Sequence, residues 1–201
     1  MTDYFALLDE PRRPWLEADA LKRKFLSLSA ALHPDRVHRA GEAEKNDASR
    51  RYAELNAAYQ CLREPKTRLR HLLELELGAR PKDLQPIPAA LADLFAEVAA
   101  TCRETDGCLA EKARTTSPLL QVQIFQQGQQ GIERLKELQN QLNGLRGKRM
   151  DELKSLDQRW AAADAGARKE MLPALEELSR WLGYFNRWLS QIQERMVQLS
   201  W

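Results

Sequence analysis

The densest chemistry in the chain is the run His33-Pro34-Asp35, with His38 close behind it. An imidazole beside a carboxylate is the pairing of a general base with the group that orients it. The nucleophile such a pair would activate is missing, because no Ser or Cys is placed beside it by sequence. A metal site fails in a similar way. His33, Asp35 and His38 lie close together, but no second ligand group with a recognisable spacing answers them. The third histidine, His71, sits among Arg and Leu on a helical stretch and is expected at the surface. Cys61, Cys102 and Cys108 are odd in number and lack a CxxC spacing, which argues against a disulfide framework or a zinc site and fits a reducing cytoplasm. The residues therefore point away from an enzyme and call for no metal or cofactor. His33-Pro34-Asp35 has the look of a presented turn, and the elements around it decide what it is for.

Those elements read as helices throughout, with sparse β-branched residues and no alternating apolar run. A short helix over YFALLDE ends at Pro11, and PRRP connects it to the next. From Leu16 to Leu32 the apolar residues Leu21, Phe25, Leu28 and Leu32 mark one helical face, which Pro34 stops. The following helix, Glu42 to Glu64, has Ala48, Tyr52, Leu55, Tyr59 and Leu62 on its apolar side. Pro65 opens a fourth helix and Gly78 closes it.

GARPKDLQPIP, residues 78–88, is the best boundary, since its three prolines make it stiff. The expected organisation is a first domain over 1–78, a proline-rich linker over 79–88 and a helical bundle over 89–201. The bundle's first helix, from about Ala89 to Lys112, shows an apolar face of Leu91, Phe95, Val98 and Cys102. Its second, from Leu119 to Trp160, carries Leu135, Leu138, Leu142 and Leu145, a stripe that Gly144 and Gly147 are expected to disturb. The last helix alternates steps of four and three from Met171 through Leu175, Leu178, Leu182, Phe185, Leu189, Ile192 and Met196 to Leu199, a coiled-coil-like seam. Trp188 and Trp201 are candidates for a partner surface. Oligomeric state stays open, because the period alone fits a closed bundle or a dimer.

Charge excludes other classes. The net charge is +2, and residues 1–80 carry 15 Lys/Arg against 13 Asp/Glu while the remainder carries 16 of each. Neither part has the basic excess of a nucleic-acid binder. No apolar run reaches the roughly 18 residues of a membrane span. The start, MTDYFALLDE, lacks the basic and apolar regions of a signal peptide.

Taken together, a short helix with Tyr4, Phe5, Leu7 and Leu8, a basic helix with Lys22, Arg23 and Lys24, the His-Pro-Asp run and a second apolar-faced helix resemble a J-domain over about residues 3–77. Asn56, Ala57, Tyr59, Leu62, Arg63, Pro65, Arg68, Leu72, Leu73, Leu75 and Gly78, with LEADALKRKF at 16–25, resemble the HscB branch of that family. The resemblance implies an all-α fold: an N-terminal J-domain helical hairpin and a C-terminal three-helix, coiled-coil-like bundle. It implies a co-chaperone that stimulates ATP hydrolysis by a DnaK-type chaperone (HscA or DnaK) and presents an IscU-type iron–sulfur scaffold. In that reading Pro34 stiffens the turn, Asp35 offers its carboxylate to a chaperone arginine, and His33 adds a polar aromatic edge. Lys22, Arg23, Lys24 and Arg36 steer an acidic partner surface. The scaffold would meet the segment 89–104, with Leu91, Leu94 and Phe95 as an apolar knob and Asp93, Glu97 and Glu104 as its charges. The sequence departs from the family where Leu26, Ser27, Ala30 and Ala31 stand in a helix half that is often basic, and the C-terminal match is loose. Two other readings follow from this: a J-domain protein with a different client, and a coiled-coil adaptor with a degenerate J-domain.

Overall fold

Residues 2–32, 41–79 and 87–200 are described by the structure, a computed structural model. The sequence-predicted run His33-Pro34-Asp35-Arg36, most of the 79–88 linker and Trp201 lie outside those residues. Among the described residues the chain is built of helices: α1 (Tyr4–Leu7), α2 (Ala18–Leu32), α3 (Glu42–Arg63), α4 (Pro65–Leu77), α5 (Ala92–Arg114), α6 (Pro118–Ala162) and α7 (Ala165–Leu199), with a 3₁₀ turn at Ala89–Leu91 before α5. No helix among them is long and apolar enough to cross a membrane.

The chain divides into two compact units. The first joins residues 1–83 to residues 151–180, and the second joins 84–150 to 181–201. The boundary near residue 83 falls inside the proline-rich stretch. Residues 151–180, the α6–α7 hairpin end, group with the N-terminal segment instead of with the rest of the bundle.

In the first unit α3 packs against α1, α2 and α4. Asp3 caps α1, accepting from the backbone N–H of Phe5 at 3.0 Å and of Ala6 at 3.3 Å. This satisfies two of the donors that a helix start leaves unpaired. The cap fixes the direction of a helix only four residues long, and Phe5 and Leu8 are then fully buried. Leu21 of α2 meets the core beside Leu55, Ala58 and Leu62 of α3, and Phe25 stacks on Tyr59 with ring centroids 4.2 Å apart. Pro65 begins α4, where its missing N–H costs nothing, and Gly78 ends it with φ +66°, a left-handed conformation that other residues enter with strain.

The second unit has a core of Leu91 from the 3₁₀ turn, Leu94, Val98 and Cys102 from α5, Ile132, Leu135, Leu138 and Leu142 from α6, and Trp181, Phe185, Trp188, Ile192 and Leu199 from α7. Three sequence expectations change here. α6 runs unbroken through Gly144 and Gly147, where a glycine weakens a helix by only about 1 kcal/mol against alanine, far less than a packed stripe of leucines contributes. Trp188 is buried at 3 % exposure, so it belongs to the core and not to a partner surface. On α5 the inward residue is Leu94, and Phe95 is 42 % exposed. Leu91, Leu94, Val98 and Cys102 hold the inner stripe, which rotates Phe95 to its edge.

Candidate functional site

The basic helix leading to the His-Pro-Asp run is α2. Lys22 and Arg23 are exposed on α2, whose Leu21 is buried and whose Phe25 is half-buried. Lys24 is engaged elsewhere. Its ammonium lies 3.4 Å from the Asp9 carboxylate and 3.2 Å from Glu10, and it also donates to the Asp9 carbonyl. Asp9 itself holds φ 51° just after α1, so Lys24 pins a strained turn to α2. Of the four basic residues predicted for chaperone docking, Lys22 and Arg23 thus present their charge outward and Lys24 is held within the unit. Arg36, like His33, Pro34 and Asp35, lies outside the described residues.

His71 overturns the surface expectation. It is 5 % exposed, and its Nε2 accepts the backbone N–H of Tyr4 at 3.0 Å, with the Tyr4 and Phe5 rings at 4.6 and 5.8 Å between centroids. An accepting Nε2 requires a neutral ring. Burial pushes its pKa down, against the opposing pull of Asp3 and Glu74. The unfolded chain therefore binds a proton that the fold resists. Stability is expected to be flat above the ordinary histidine value of 6.5 and to fall as pH drops from there through the lowered folded value. His71→Gln, whose side-chain carbonyl can still accept from Tyr4, should flatten that decline, as read by urea midpoints across pH 4.5–7.5, a range set on the order of one to two units either side of the titration.

Sequence reading missed the polar cluster that holds the first unit together. Asp157 of α6 is 3 % exposed. Its carboxylate accepts from the Arg13 guanidinium through both Nε and Nη2 and from the Trp15 backbone N–H at 3.1 Å. Three residues along, fully buried Trp160 donates its Nε1–H to the Arg12 carbonyl at 2.9 Å. PRRPW is therefore a strap lying on the α6–α7 hairpin end, not a bare connector. Arg68 of α4, 2 % exposed, donates from Nε to the Pro14 carbonyl at 2.9 Å and from Nη1 to the Leu62 carbonyl at 2.8 Å. Leu62 lies in the last turn of α3, whose carbonyls have no partner within the helix, so Arg68 acts as a cap across the α3–α4 corner. Burial pulls the Arg68 pKa down to about 10, against the stabilising charges of Asp157 and Glu64. One signal was legible: Leu153, Leu156, Asp157 and Trp160 stand at inward spacing, so a carboxylate sits on an apolar stripe.

In the second unit the predicted scaffold-binding residues separate. Leu91 and Leu94 face the core, while Asp93, Phe95 and Glu97 face outward. Phe95 leans on Trp188 at 6.2 Å between ring centroids, which steadies an exposed aromatic. Beside Glu97 runs an open groove of about 430 Å³ lined by Glu97, Glu104, Glu137 and Arg134, with Glu104 and Arg134 paired at 2.8 Å. The face is acidic, with three carboxylates against one guanidinium. Among the described residues no group of three or more His, Cys, Asp or Glu is placed to hold a metal ion.

No protein-family model matches the chain. A co-chaperone protein HscB homolog from Paraburkholderia phymatum is 40 % identical over 72 residues, 36 % of this chain and 41 % of that protein. One from Bordetella petrii is 40 % identical over 72 residues, 36 % of this chain and 42 % of that protein. The match thus spans about two-fifths of these curated relatives. Chaperone HscB from Vibrio cholerae superposes with a TM-score of 0.64 at 19 % identity, over 98 % of this chain and 99 % of that one. Human co-chaperone HscB superposes with a TM-score of 0.56 at 19 % identity, over 98 % of this chain and 81 % of that one. Over 72 residues the chain is similar in sequence to HscB co-chaperone homologs, and over nearly its whole length it shares the fold of solved HscB chaperones, an N-terminal J-domain followed by a C-terminal helical domain.

Proposed function

We propose that this protein is a co-chaperone that stimulates ATP hydrolysis by a DnaK-type chaperone through His33-Pro34-Asp35 and carries an iron–sulfur scaffold protein on its C-terminal domain. The observation that carries the reading is the likeness to HscB proteins in both sequence and fold, joined to a His-Pro-Asp run between α2 and α3. The tripeptide performs no chemistry. Its carboxylate suits a bidentate, charge-assisted pair with a partner's guanidinium, and Pro34 limits the entropy lost on docking. ATP is cleaved on the chaperone, whose conformations the docked J-domain shifts. Lys22 and Arg23 set encounter rate and orientation.

Single-turnover ATP hydrolysis by a DnaK-type chaperone tests this. Wild-type protein should accelerate it and His33→Gln should abolish the acceleration. Arg23→Ala should weaken it more than Lys24→Ala, because Lys24 is already held by Asp9 and Glu10. No acceleration by wild type would sink the co-chaperone reading in favour of an adaptor.

The client half rests on the acidic outer face of α5. Phe95 supplies an exposed aromatic anchor, and Asp93 and Glu97 flank it with charge suited to a basic scaffold surface. Phe95→Ala is expected to weaken binding of an IscU-type scaffold at least tenfold, roughly the 1.4 kcal/mol expected of an interface anchor, with the thermal transition unchanged. Leu94→Ala should instead lower the stability of the second unit, since Leu94 faces its core. Isothermal titration beside thermal melts separates the two. Undiminished binding by Phe95→Ala would move the scaffold site elsewhere.

A further inference from the structure

The exposed side of α2 changes character along its length. Lys22 and Arg23 stand near its start, and Leu26, Ser27, Ala30 and Ala31 follow them, all exposed. Residues three and four apart on a helix are neighbours, so Lys22, Arg23, Leu26 and Ala30 form one continuous stripe. Residues 26–32 contain no Asp, Glu, Lys or Arg. The stripe is therefore basic at one end and neutral at the other, and the neutral end leads directly into His33 in the chain. Leu26 is not part of the core, which takes Leu21 from this helix and stacks Phe25 on Tyr59. A single exposed leucine is ordinary on a soluble surface. Leu26 gains its weight from its place, between two outward cations and the His-Pro-Asp run. Among the described residues of the first unit, only Leu77 at the end of α4 is a comparably exposed large apolar side chain, at 50 % against 54 % for Leu26.

The ends of the stripe select what covers its middle. The function proposed above gives a DnaK-type chaperone two points of engagement, Lys22 and Arg23 near one end of α2 and His33-Pro34-Asp35 after the other. About 15 Å of helix separates Lys22 from Leu32, at 1.5 Å per residue. A partner that engages both ends lies along α2 and covers the exposed residues between them. Charge then limits what that partner can present. A carboxylate set against residues 26–32 would lose water and meet no cation there, which is unfavourable. An apolar or neutral surface gains by covering Leu26 and can come close over Ser27, Ala30 and Ala31, whose side chains are small. We propose that Leu26 is a specificity-determining contact for the chaperone. It seats against an apolar part of the chaperone's docking surface, between the acidic part that meets Lys22 and Arg23 and the part that meets His-Pro-Asp. It thereby selects against DnaK-type chaperones that carry a carboxylate at that place. This rests on the co-chaperone reading and names the partner surface that reading requires.

Single-turnover ATP hydrolysis by a DnaK-type chaperone, titrated with the whole chain, separates the half-saturating concentration from the maximal rate. Leu26→Ala should raise the half-saturating concentration at least about fivefold, the loss expected when a half-exposed leucine no longer completes its burial in a contact. The maximal rate should stay as in wild type, because His33-Pro34-Asp35 is untouched. Leu26→Lys should weaken docking as well, since its ammonium would meet an apolar surface. High salt should shrink the deficit of Arg23→Ala and leave that of Leu26→Ala in place, because screening acts on charge and not on apolar contact. Leu77→Ala should match wild type, and the thermal transitions of Leu26→Ala and Leu77→Ala should not move, both side chains being half exposed or more. Leu26→Ala docking like wild type, Leu26→Lys docking more tightly, or an equal loss in Leu77→Ala overturns the proposal. In those cases acceleration that still depends on His33 keeps the co-chaperone reading, whereas no acceleration by wild type removes both.

Discussion

Arg68→Ala is expected to destabilise the first unit by about 3–5 kcal/mol, the range for leaving buried polar partners without their charge or donor. The cause is local and can be traced. Two carbonyls, Pro14 on the strap and Leu62 at the end of α3, lose their donors, and each such loss costs about 1–3 kcal/mol. The planar guanidinium also lies over the Trp15 ring, 5.8 Å from its centroid, so its removal unsettles the strap's packing. Arg68→Lys should recover little, because a single ammonium cannot span two carbonyls with a rigid fork. Urea unfolding followed by hydrogen exchange checks both points. Lost protection should concentrate in α3, α4 and the strap. A stability loss under about 1 kcal/mol would show that water replaces the guanidinium at both carbonyls.

Trp160→Ala should cost a similar amount, about 3–5 kcal/mol, the usual range for emptying a buried aromatic site. Trp160 is fully buried, and its indole N–H satisfies the Arg12 carbonyl next to the Arg13–Asp157 pair. Trp160→Phe separates packing from the hydrogen bond. It fills most of the space and leaves the carbonyl unpaired, so about 1–3 kcal/mol should remain lost. Arg168 lies over the same ring at 5.4 Å and donates to the Trp160 carbonyl at 3.2 Å, which ties the turn into α7 to the same point. Guanidinium melts of the three proteins, read by circular dichroism, give the ordering wild type, then Phe, then Ala. Equal losses for Phe and Ala would assign the whole effect to the hydrogen bond.

These two residues show where sequence reading stops. Helix positions were legible because the period of Leu21, Phe25 and Leu28, or of Leu175, Leu178 and Leu182, is a local property of a chain that must hide one face. Pro65 and Gly78 were legible as helix ends because their backbone limits act on their own residue. His71 was misplaced because nothing nearby in sequence foretells that Tyr4, 67 residues away, would hand it a backbone N–H. Phe95 and Leu94 were exchanged for a different reason. Adjacent residues on a helix differ by about 100° in direction, and only the position of α7 decides which of them is covered.

Sequence by itself determined the helical class, the J-domain-like order of helices with His33-Pro34-Asp35 between α2 and α3, and the apolar seam of α7. All of these depend on spacing within single segments. Tertiary structure decided the rest. It committed Lys24 to Asp9 and Glu10 while leaving Lys22 and Arg23 outward, and it buried Trp188 while leaving Phe95 exposed. It also laid the PRRPW strap on Asp157 and Trp160, joining residues 151–180 to the N-terminal segment. For the strap the physical reason is the demand of buried polar groups. A buried carboxylate, carbonyl or indole N–H must find a partner wherever the fold can supply one, and that partner need not be near in sequence.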